Sequence, residues 1–398
     1  MKQVYIVDAV RTGVGKFSGT LSSVRPDDLG AIVIKALIDR NPSLDVNEIE
    51  DVIFGAANQA GEDNRNVARM SALLAGLPIS VGGNTVNRLC ASGLQSIVDA
   101  SRAIQCGDGE IYISGGTESM TRAPFVMAKA ETAYSRIPEV YDTTIGWRFT
   151  NKRLSEMYHP FAMGETAENI AERWSISREE QDTFAFQSQE KYQAAHASGK
   201  FANEIVPVHI PQKKGDPIIF NKDEHPRMSS LEDLAKLKAA FKKDGSVTAG
   251  NSSGINDGAA ALMLVSEEAL KRYNLSPLAR VVSRGVAGVD PAIMGIGPVP
   301  ASLKALKRAG LKANELGLVE LNEAFASQSI ACMRDLELDP NIVNVNGGSI
   351  AIGHPLGGSG ARISTTLIHE MQKRNVRFGL ATMCIGVGQG VALVFEKC

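Results

Sequence analysis

The chain has 398 residues, of which 44% are hydrophobic and 22% charged, and its formal net charge is −2. This length exceeds one ordinary domain and predicts two or three, and the composition is that of a well-packed globular protein. A net charge so close to zero gives no general support for binding to nucleic acid or to a membrane surface.

The first 120 residues alternate between strand and helix patterns, because apolar residues recur first at the spacing of one and then at that of the other. Strands are predicted at 4–10, 49–57 and 110–116, and helices at 26–40, at 66–77 and from about residue 90. This alternation predicts a mixed α/β layer. The chain enters its first strand almost at once, so we expect no signal peptide, and no apolar run reaches membrane-spanning length.

Residues 121–248 have a different character. Charged residues and prolines are frequent, and the strand–helix alternation is lost, although 165–174 and 179–197 have the pattern of amphipathic helices. We interpret this segment as a large insertion that covers one face of the core. Residues 249–274 return to core-like sequence with a buried strand at 257–265, so we expect them to complete the half-core formed by residues 1–120.

Residues 275–398 are predicted to form a second half-core. Strands at 317–322, 343–348 and 377–383 and a helix at about 360–373 repeat the order of elements found before residue 120, although few residues are identical. Two similar halves packed together would bring corresponding loops to one surface. Loops nearly three hundred residues apart could therefore form a single site.

Cys90 is the first candidate catalytic residue. It lies in the segment 87–93, close to the start of a predicted helix. Unpaired backbone N–H groups and the positive end of the helix dipole favour a thiolate there, which is a nucleophile. The alternative is that Cys90 is a small buried hydrophobic residue, as most free cysteines are.

His354 is the second candidate. It is the single histidine in the glycine-rich segment 346–362, which also holds Pro355. Glycine lets the backbone approach a ligand closely. A histidine in so constrained a loop is well suited to acid/base chemistry. The alternative is a tight but purely structural connection between a strand and a helix.

A third group follows strands of the C-terminal half. Cys384 is a candidate acid/base, because the ordinary pKa of a thiol suits proton transfer near neutral pH; on its own it would be a core residue. The backbone N–H groups of Gly386 and Cys90 could bind an oxyanion. Asn322, at the end of a predicted strand, could hold a water molecule or a carbonyl group.

The five cysteines are widely spaced and form no C-x-x-C pair. Neither a zinc site nor a disulfide framework is therefore predicted. Free thiols indicate a reducing compartment, and we expect the cytoplasm.

Together these motifs resemble the thiolase family, and nearly the whole chain takes part in the resemblance. The matching segments are 87–93, 115–120, 322–325, 353–355 and 384–388. The resemblance implies a five-layered α-β-α-β-α core built from two βαβαβαββ halves, with a loop domain inserted in the N-terminal half. It also implies a homodimer or a homotetramer.

The resemblance further implies a role for each candidate. Cys90 would be the nucleophile that accepts the acyl group, paired with His354, and Cys384 would be the second acid/base. Asn322, through a water molecule, and His354 would hold the enolate oxygen of acetyl-CoA, while the amides of Cys90 and Gly386 would hold the oxygen of the acyl-enzyme. Coenzyme A and acetyl-CoA would be substrates, with no metal or redox cofactor required.

The insertion is expected to bind coenzyme A, whose phosphates favour cations. The candidate cations are Arg227, Lys222, Lys213 and Lys214, although the lysines, above all Lys213 and Lys214, also suit a solvated face. Just after the insertion, Ser253 resembles the family's serine that contacts the pantetheine amide, and Ala249 is a further candidate for binding coenzyme A. By resemblance, Met163, Met294 and Phe325 would line the acyl pocket; the alternative for these three is ordinary core.

The substrate is less closely defined. Members specific for acetoacetyl-CoA usually have His-Met-Gly where this chain has Ala162 to Gly164, and the segments 60–70 and 142–149 resemble members that act on 3-oxoadipyl-CoA. A carboxylate-ended acyl chain would need a cation, from Arg65, Arg69 or Arg148. The alternatives are an acetoacetyl-CoA thiolase and, more distantly, a decarboxylating ketoacyl synthase or a non-catalytic acyl-CoA binding protein.

Overall fold

The structure, a computed structural model, describes residues 2–398. Its strands are β1 (Val4–Thr12), β2 (Gly15–Lys16), β3 (Ile49–Gly55), β4 (Gly82–Val86), β5 (Ile111–Ser119), β6 (Phe125–Met127), β7 (Val140–Asp142), β8 (Ile205–Val206), β9 (Val208–Ile210), β10 (Ile218–Phe220), β11 (Asn256–Ser266), β12 (Ala279–Gly288), β13 (Leu318–Leu321), β14 (Phe378–Ile385) and β15 (Gln389–Lys397). Its α-helices are α1 (Pro26–Arg40), α2 (Val67–Leu74), α3 (Ser92–Cys106), α4 (Lys152–Met157), α5 (Met163–Arg173), α6 (Arg178–Ala197), α7 (Leu231–Ala235), α8 (Glu267–Arg272), α9 (Pro298–Ala309), α10 (Ala326–Asp335), α11 (Ser349–Ile352) and α12 (Leu356–Arg374).

The two halves of the chain build similar sheets. In the N-terminal half the strand order is β1-β11-β5-β3-β4, with β11 antiparallel to both neighbours and β5, β3 and β4 parallel. In the C-terminal half the order is β12-β15-β14-β13, with β15 antiparallel to both neighbours and β14 parallel to β13. A short antiparallel contact between β1 and β12, where Tyr5 lies opposite Arg280, joins the two sheets.

The central layer consists of helices α3 and α12. They pack on each other, and between them they contact strands of both sheets. Helices α1 and α2 cover the outer face of the N-terminal sheet, while α9 packs on β12 and β15 and α10 shares its apolar cluster. The five layers α-β-α-β-α predicted above are therefore present, and each sheet is covered by helices on both faces, as parallel strands require.

Glycine allows the close approach of the central helices. A Cβ atom added to Gly93 of α3 would lie 2.6 Å from the carbonyl oxygen of Gly357, and one added to Gly116 of β5 would lie 2.0 Å from the same oxygen. Real Cβ contacts are much longer, so these positions need glycine. The glycine-rich character of segment 346–362 thus serves the packing of α12 against the N-terminal half.

The predicted strand at 343–348 is wrong. This segment makes only an isolated bridge between Val319 and Val343, and then Asn344 turns to a φ of +45°. The Asn344 side chain takes over the pairing: its amide oxygen accepts from the Leu321 N–H (2.9 Å) and its nitrogen donates to the Leu321 carbonyl (2.8 Å). A side chain thus replaces a fifth strand next to β13.

Other predicted bounds differ by a few residues. Helix α1 has the predicted ends, α2 ends three residues early, and α12 begins at Leu356 rather than at about 360. The earlier start matters, because it places the first turn of α12 two residues after His354.

Residues 121–248 lie between the paired strands β5 and β11 and contain helices and short strands. Buried ion pairs attach them to the core: Arg11 of β1 donates to Glu204 (2.6 Å) and to Asp223 (2.6 Å), with all three side chains almost fully buried. Among the described residues, no helix is both long and apolar enough to cross a membrane.

Candidate active site

A cavity of about 380 Å³ opens where the loops of the two halves meet. Cys90, from the loop between β4 and α3, and Gly386, from the loop between β14 and β15, both line it. Met163 and Leu356 also line the cavity, so the first turns of α5 and α12 reach its wall. The cavity therefore brings together residues from the N-terminal half, the insertion and the C-terminal half.

The backbone is strained on both sides of this cavity. Leu89 has a φ of +46° and Val387 a φ of +63°, and the left-handed region is unfavourable for a non-glycine residue and most of all for a β-branched one. Each is the immediate neighbour of one of the two cavity residues Cys90 and Gly386. The Ser92 hydroxyl stabilises the first of these turns, since it accepts from the Arg88 N–H (2.9 Å) and donates to the Leu89 carbonyl (2.6 Å).

Burial and backbone amides act on the Cys90 thiol in opposite directions. Burial raises the pKa of Cys90 to about 11, although the backbone N–H groups of Gly386 and of Cys90 itself lower it. The amides therefore favour a thiolate, as expected at a helix N-terminus, but desolvation outweighs them. Cys90 and Gly386 lie on one cavity wall, so their backbone N–H groups are available to an oxyanion formed on an acyl group attached to the sulfur.

His354 is buried and neutral. Burial, and then the charge of Arg362, lower the pKa of His354 to about 3. Its Nδ1 lies 2.6 Å from the Ser359 hydroxyl, which itself donates to the Pro355 carbonyl (3.0 Å). The hydroxyl can therefore only accept from the ring, so Nδ1 carries the proton and Nε2 is left as the basic nitrogen.

Asn322 contacts that basic nitrogen. Its amide nitrogen lies 3.5 Å from Nε2 of His354, and its amide oxygen accepts from the Ser349 hydroxyl (2.6 Å). Arg362 in turn donates to Ser349 (2.8 Å). Asn322 is completely buried, and its orientation is fixed from both ends.

Cys384 is buried just behind the cavity. It packs with Met163, Met294 and Phe325, and Met163 also lines the cavity wall. Burial, followed by the charge of Cys90, raises the pKa of Cys384 well above its ordinary value. The three residues predicted to line the acyl pocket therefore pack around the second thiol. Of these, Met294 and Phe325 are buried, with 3% and 8% of their surface exposed.

The internal repeat relates the candidate residues in pairs. Cys90 and His354 each lie two residues before one of the central helices, α3 and α12. In the N-terminal half, the last residue of β3 pairs with Gly116, and Glu118 lies two residues further on. In the C-terminal half, the last residue of β13 pairs with Thr382, and Cys384 lies two residues further on. The site therefore combines equivalent positions of two similar halves that carry different chemical groups.

Two polar residues at the site were not predicted. Ser359 fixes the His354 ring, and Glu118 lines the cavity while only 2% exposed. Glu118 lies within the matching segment 115–120, and the signal that could have found it is a carboxylate inside an otherwise buried strand. Ser359 carries no such signal, because its role depends on where α12 begins.

The coenzyme A candidates divide into two groups. Arg227 and Ala249 line a second cavity of about 260 Å³, and the Arg227 guanidinium donates to the Ala249 carbonyl (2.8 Å). Ser253 is half-buried, and its N–H donates to the carbonyl of Ala324, next to Phe325 (3.0 Å). The lysines at 213, 214 and 222 are exposed and line neither cavity.

The three candidate arginines lie in different places. Arg148 is half-buried on the wall of the Cys90 cavity, and it is the only lysine, arginine or histidine among the described residues that line it. The Arg69 guanidinium instead donates to the carbonyls of Ile79 and Val81. Arg65 is exposed and lies away from the wall.

Comparison with known proteins covers both halves of the chain. The family model of the thiolase N-terminal domain matches residues 4–268, and that of the thiolase C-terminal domain matches residues 275–397. The chain is 55% identical over 400 residues to beta-ketoadipyl-CoA thiolase of Acinetobacter baylyi, with 100% of both proteins covered.

Two further comparisons cover the same length. The chain is 54% identical over 400 residues to the 3-oxoadipyl-CoA/3-oxo-5,6-dehydrosuberyl-CoA thiolase of Escherichia coli, again with 100% of both covered. Among solved structures, the Bacillus anthracis acetyl-CoA acetyltransferase matches with a TM-score of 0.94 and 43% identity, covering 100% of this chain and 99% of that chain.

Proposed function

Because the chain belongs to the thiolase family and is an acyltransferase, we propose that it cleaves a 3-oxoacyl-CoA with coenzyme A through an acyl group carried on Cys90. The products are acetyl-CoA and an acyl-CoA shortened by two carbons, and the reverse reaction is a Claisen condensation. The observations that carry the proposal are that Cys90 and Gly386 share the wall of one cavity, and that the second thiol, Cys384, packs against Met163 of the same wall.

In the first half of the reaction, Cys90 attacks the 3-oxo carbon. Its proton passes to Nε2 of His354, which the Ser359 contact leaves unprotonated. The new C–S bond places negative charge on the carbonyl oxygen, where the N–H groups of Cys90 and Gly386 stabilise it. The bond between C2 and C3 then breaks, and its electron pair forms the enolate of acetyl-CoA.

Cys384 protonates that enolate. A buried thiol with a raised pKa holds its proton until a strong base forms beside it, so it suits this step. The protonated His354 and the Asn322 amide, through a water molecule, hold the enolate oxygen. In the second half, the thiol of coenzyme A gives its proton to the Cys384 thiolate and attacks the acyl group on Cys90. The C–S bond to Cys90 then breaks, and the departing Cys90 thiolate takes the proton back from His354, which regenerates the free enzyme.

We further propose 3-oxoadipyl-CoA as the substrate. The two relatives described above are named for this compound, and Ala162, which lines the cavity, leaves space where acetoacetyl-specific members carry histidine. Arg148 is the cation available to a carboxylate at the far end of the acyl chain. The second candidate is acetoacetyl-CoA, which the similarity to an acetyl-CoA acetyltransferase favours.

Coenzyme A is proposed to lie along the 121–248 segment. The cavity at Arg227 and Ala249 offers a cation for its phosphates and, with Phe186, Leu234 and Leu237, an apolar wall for its adenine. Ser253 would contact the pantetheine amide. The catalytic loops would then come from the two half-cores, one formed by residues 1–120 with 249–274 and the other by residues 275–398. The insertion would cover the bound coenzyme A.

A homodimer or homotetramer in the cytoplasm is the proposed working form. Exposed apolar side chains on the β6–β7 hairpin, including Phe125 (73% exposed) and Met127 (61%), support burial against another copy of the chain. Strand β4 ends the N-terminal sheet and offers an open edge. Five free cysteines suit a reducing compartment.

The proposed function is tested by thiolysis of a panel of 3-oxoacyl-CoAs with free coenzyme A, including the C4, C6, C8, C16 and 3-oxoadipyl compounds. We expect turnover, with 3-oxoadipyl-CoA preferred. Intact-mass measurement after incubation with acetyl-CoA should show one acetyl group on Cys90, and Cys90→Ser should accumulate far less. Absence of both turnover and acetylation in the folded protein would exclude a thiolase and leave a non-catalytic acyl-CoA binding protein.

A further inference from the structure

Glu118 is a buried carboxylate that the proposed reaction does not use. It lies near the end of β5, lines the Cys90 cavity and is 2% exposed. Its Oε2 accepts hydrogen bonds from the backbone N–H groups of Ala57 (2.8 Å) and Gly357 (2.8 Å), and its Oε1 accepts one from Asn58 (3.1 Å). A buried carboxylate that binds only backbone amides has a role in placing backbone.

The three amides belong to segments that carry the site. Ala57 and Asn58 lie in the loop after β3, on the wall of the cavity. Gly357 is in the first turn of α12, which begins two residues after His354. One side chain of the N-terminal half therefore holds the helix of the C-terminal half that positions the imidazole.

The charge of Glu118 also reaches the nucleophile. The charged group that acts on the Glu118 carboxyl is Asp63, and the one that acts on Cys90 is Glu118. Among the described residues that line the cavity, Arg148 is the only cation. Burial, and then the charge of Asp63, raise the pKa of Glu118 to about 7, whereas its three N–H donors lower it. When ionised, Glu118 raises the pKa of Cys90.

We infer that Glu118 is a positioning residue that joins the first turn of α12 to the loop after β3 and so fixes His354 relative to Cys90. This role rests on the proposed function of the site. No step of the proposed reaction passes a proton through Glu118. Its place in the repeat corresponds to that of Cys384, so the two halves use equivalent positions for positioning and for proton transfer.

Glu118→Gln removes the negative charge and disturbs the backbone contacts of this side chain, with little change of its shape. An amide has one oxygen, which can still accept from Ala57 and Gly357, but its NH₂ group then faces the Asn58 N–H, donor against donor. We expect kcat to fall by about a hundredfold, because a small displacement of a catalytic group costs that much, with KM changed less than about threefold. The pKa measured from the pH dependence of Cys90 alkylation should fall, because a neighbouring anion is removed.

Glu168→Gln is the matched control. Glu168 is also buried and accepts from backbone amides, those of Ser246 and Val247, but it does not line the Cys90 cavity. It should lower the melting temperature without moving the alkylation pKa of Cys90. Glu118→Asp keeps the charge and shortens the reach, so its alkylation pKa should stay nearer to wild type than that of Glu118→Gln while kcat remains reduced.

The inference is overturned if Glu118→Gln keeps kcat within about threefold of wild type, or if its alkylation pKa does not move. Alkylation needs no turnover, so this arm is informative even if the wild-type protein cleaves none of the panel substrates. Should Glu118→Gln not fold, hydrogen exchange on the wild-type chain decides: the amides of Ala57, Asn58 and Gly357 should be strongly protected, and free exchange at them would exclude the role.

Discussion

Nδ1 of His354 lies 2.6 Å from the hydroxyl oxygen of Ser359, and this contact decides which ring nitrogen is the base. The serine is one turn into α12, so the helix that follows the histidine also sets its tautomer. Orientation of a histidine by a partner on its other nitrogen is a general requirement when only one nitrogen can do the chemistry.

Ser359→Ala should lower kcat with little effect on folding. The loss of one neutral hydrogen bond amounts to about 1 kcal/mol, or about fivefold in rate, and an incorrect tautomer adds to this. Steady-state thiolysis of the preferred substrate measures the effect. Ser364→Ala is a suitable control, because Ser364 makes a comparable hydroxyl-to-carbonyl bond within α12, to Gly360, without contacting the imidazole. Equal losses in the two variants would contradict a role for Ser359 in fixing the tautomer.

The alkylation of Cys90 should depend on pH as that of a half-buried thiol whose pKa is raised. Its pKa is raised to about 11, so the rate with iodoacetamide should rise about tenfold per pH unit from about pH 6 to about pH 9, because only the thiolate reacts. His354, with a pKa lowered to about 3, stays neutral over this range and adds no inflection. Peptide mass mapping distinguishes Cys90 from the exposed Cys106 and Cys398. A plateau below about pH 8 would show a stabilised thiolate instead.

Arg148→Met should change substrate preference. We expect kcat/KM for 3-oxoadipyl-CoA to fall about 10-fold to 100-fold more than that for 3-oxohexanoyl-CoA, which has the same length but no terminal charge, because a charged hydrogen bond contributes about 1.5–3 kcal/mol. Arg65→Met is the control, since Arg65 is exposed and away from the cavity wall. If Arg148→Met reduces both substrates equally, this arginine does not bind the carboxylate.

Asn344→Ala should be strongly destabilising. The variant leaves both backbone groups of Leu321 without a partner. It also removes the Asn344 amide (2.7 Å) from Oε1 of the buried Glu323, whose Oε2 keeps the Ser188 hydroxyl and the Ile350 N–H as donors. We expect the free energy of unfolding to fall by roughly 2–4 kcal/mol, as measured by urea denaturation. Asn341→Ala, at an exposed position a few residues earlier, should change it by less than about 0.5 kcal/mol. Similar stability of the two variants would show that water or a backbone shift can replace the Asn344 side chain.

The sequence was sufficient to predict the five layers, and the structure places two of the predicted site residues, Cys90 and Gly386, on one cavity wall. Cys90, His354 and Cys384 were candidates because glycine-rich turns stand beside them after predicted strands, and Gly386 and Asn322 because they follow the ends of strands. These are local patterns, and the repeat explains why local patterns from the two halves meet. The catalytic roles given to them remain predictions.

Three features could not be predicted from the sequence, because each depends on contacts between residues that are distant along the chain. The pKa of Cys90 is a balance between two amides and the burial of the whole loop, and only the amides are suggested by position along the chain. The choice among Arg65, Arg69 and Arg148 depends on which one lies on the cavity wall. The replacement of a strand by the Asn344 side chain depends on its two hydrogen bonds to Leu321, which the pattern of apolar residues does not indicate.

The pairing of β1 with β11 has a consequence for how the protein is made. Strand β11 fills the position between β1 and β5, yet it is synthesised only after the entire 121–248 segment. A nascent chain on the ribosome therefore keeps a gap in its first sheet until most of the polypeptide has emerged, and His354 and Cys384 follow later still. Cys90 thus meets the residues proposed as its catalytic partners only when translation is nearly complete, so truncated chains should be unable to transfer acyl groups.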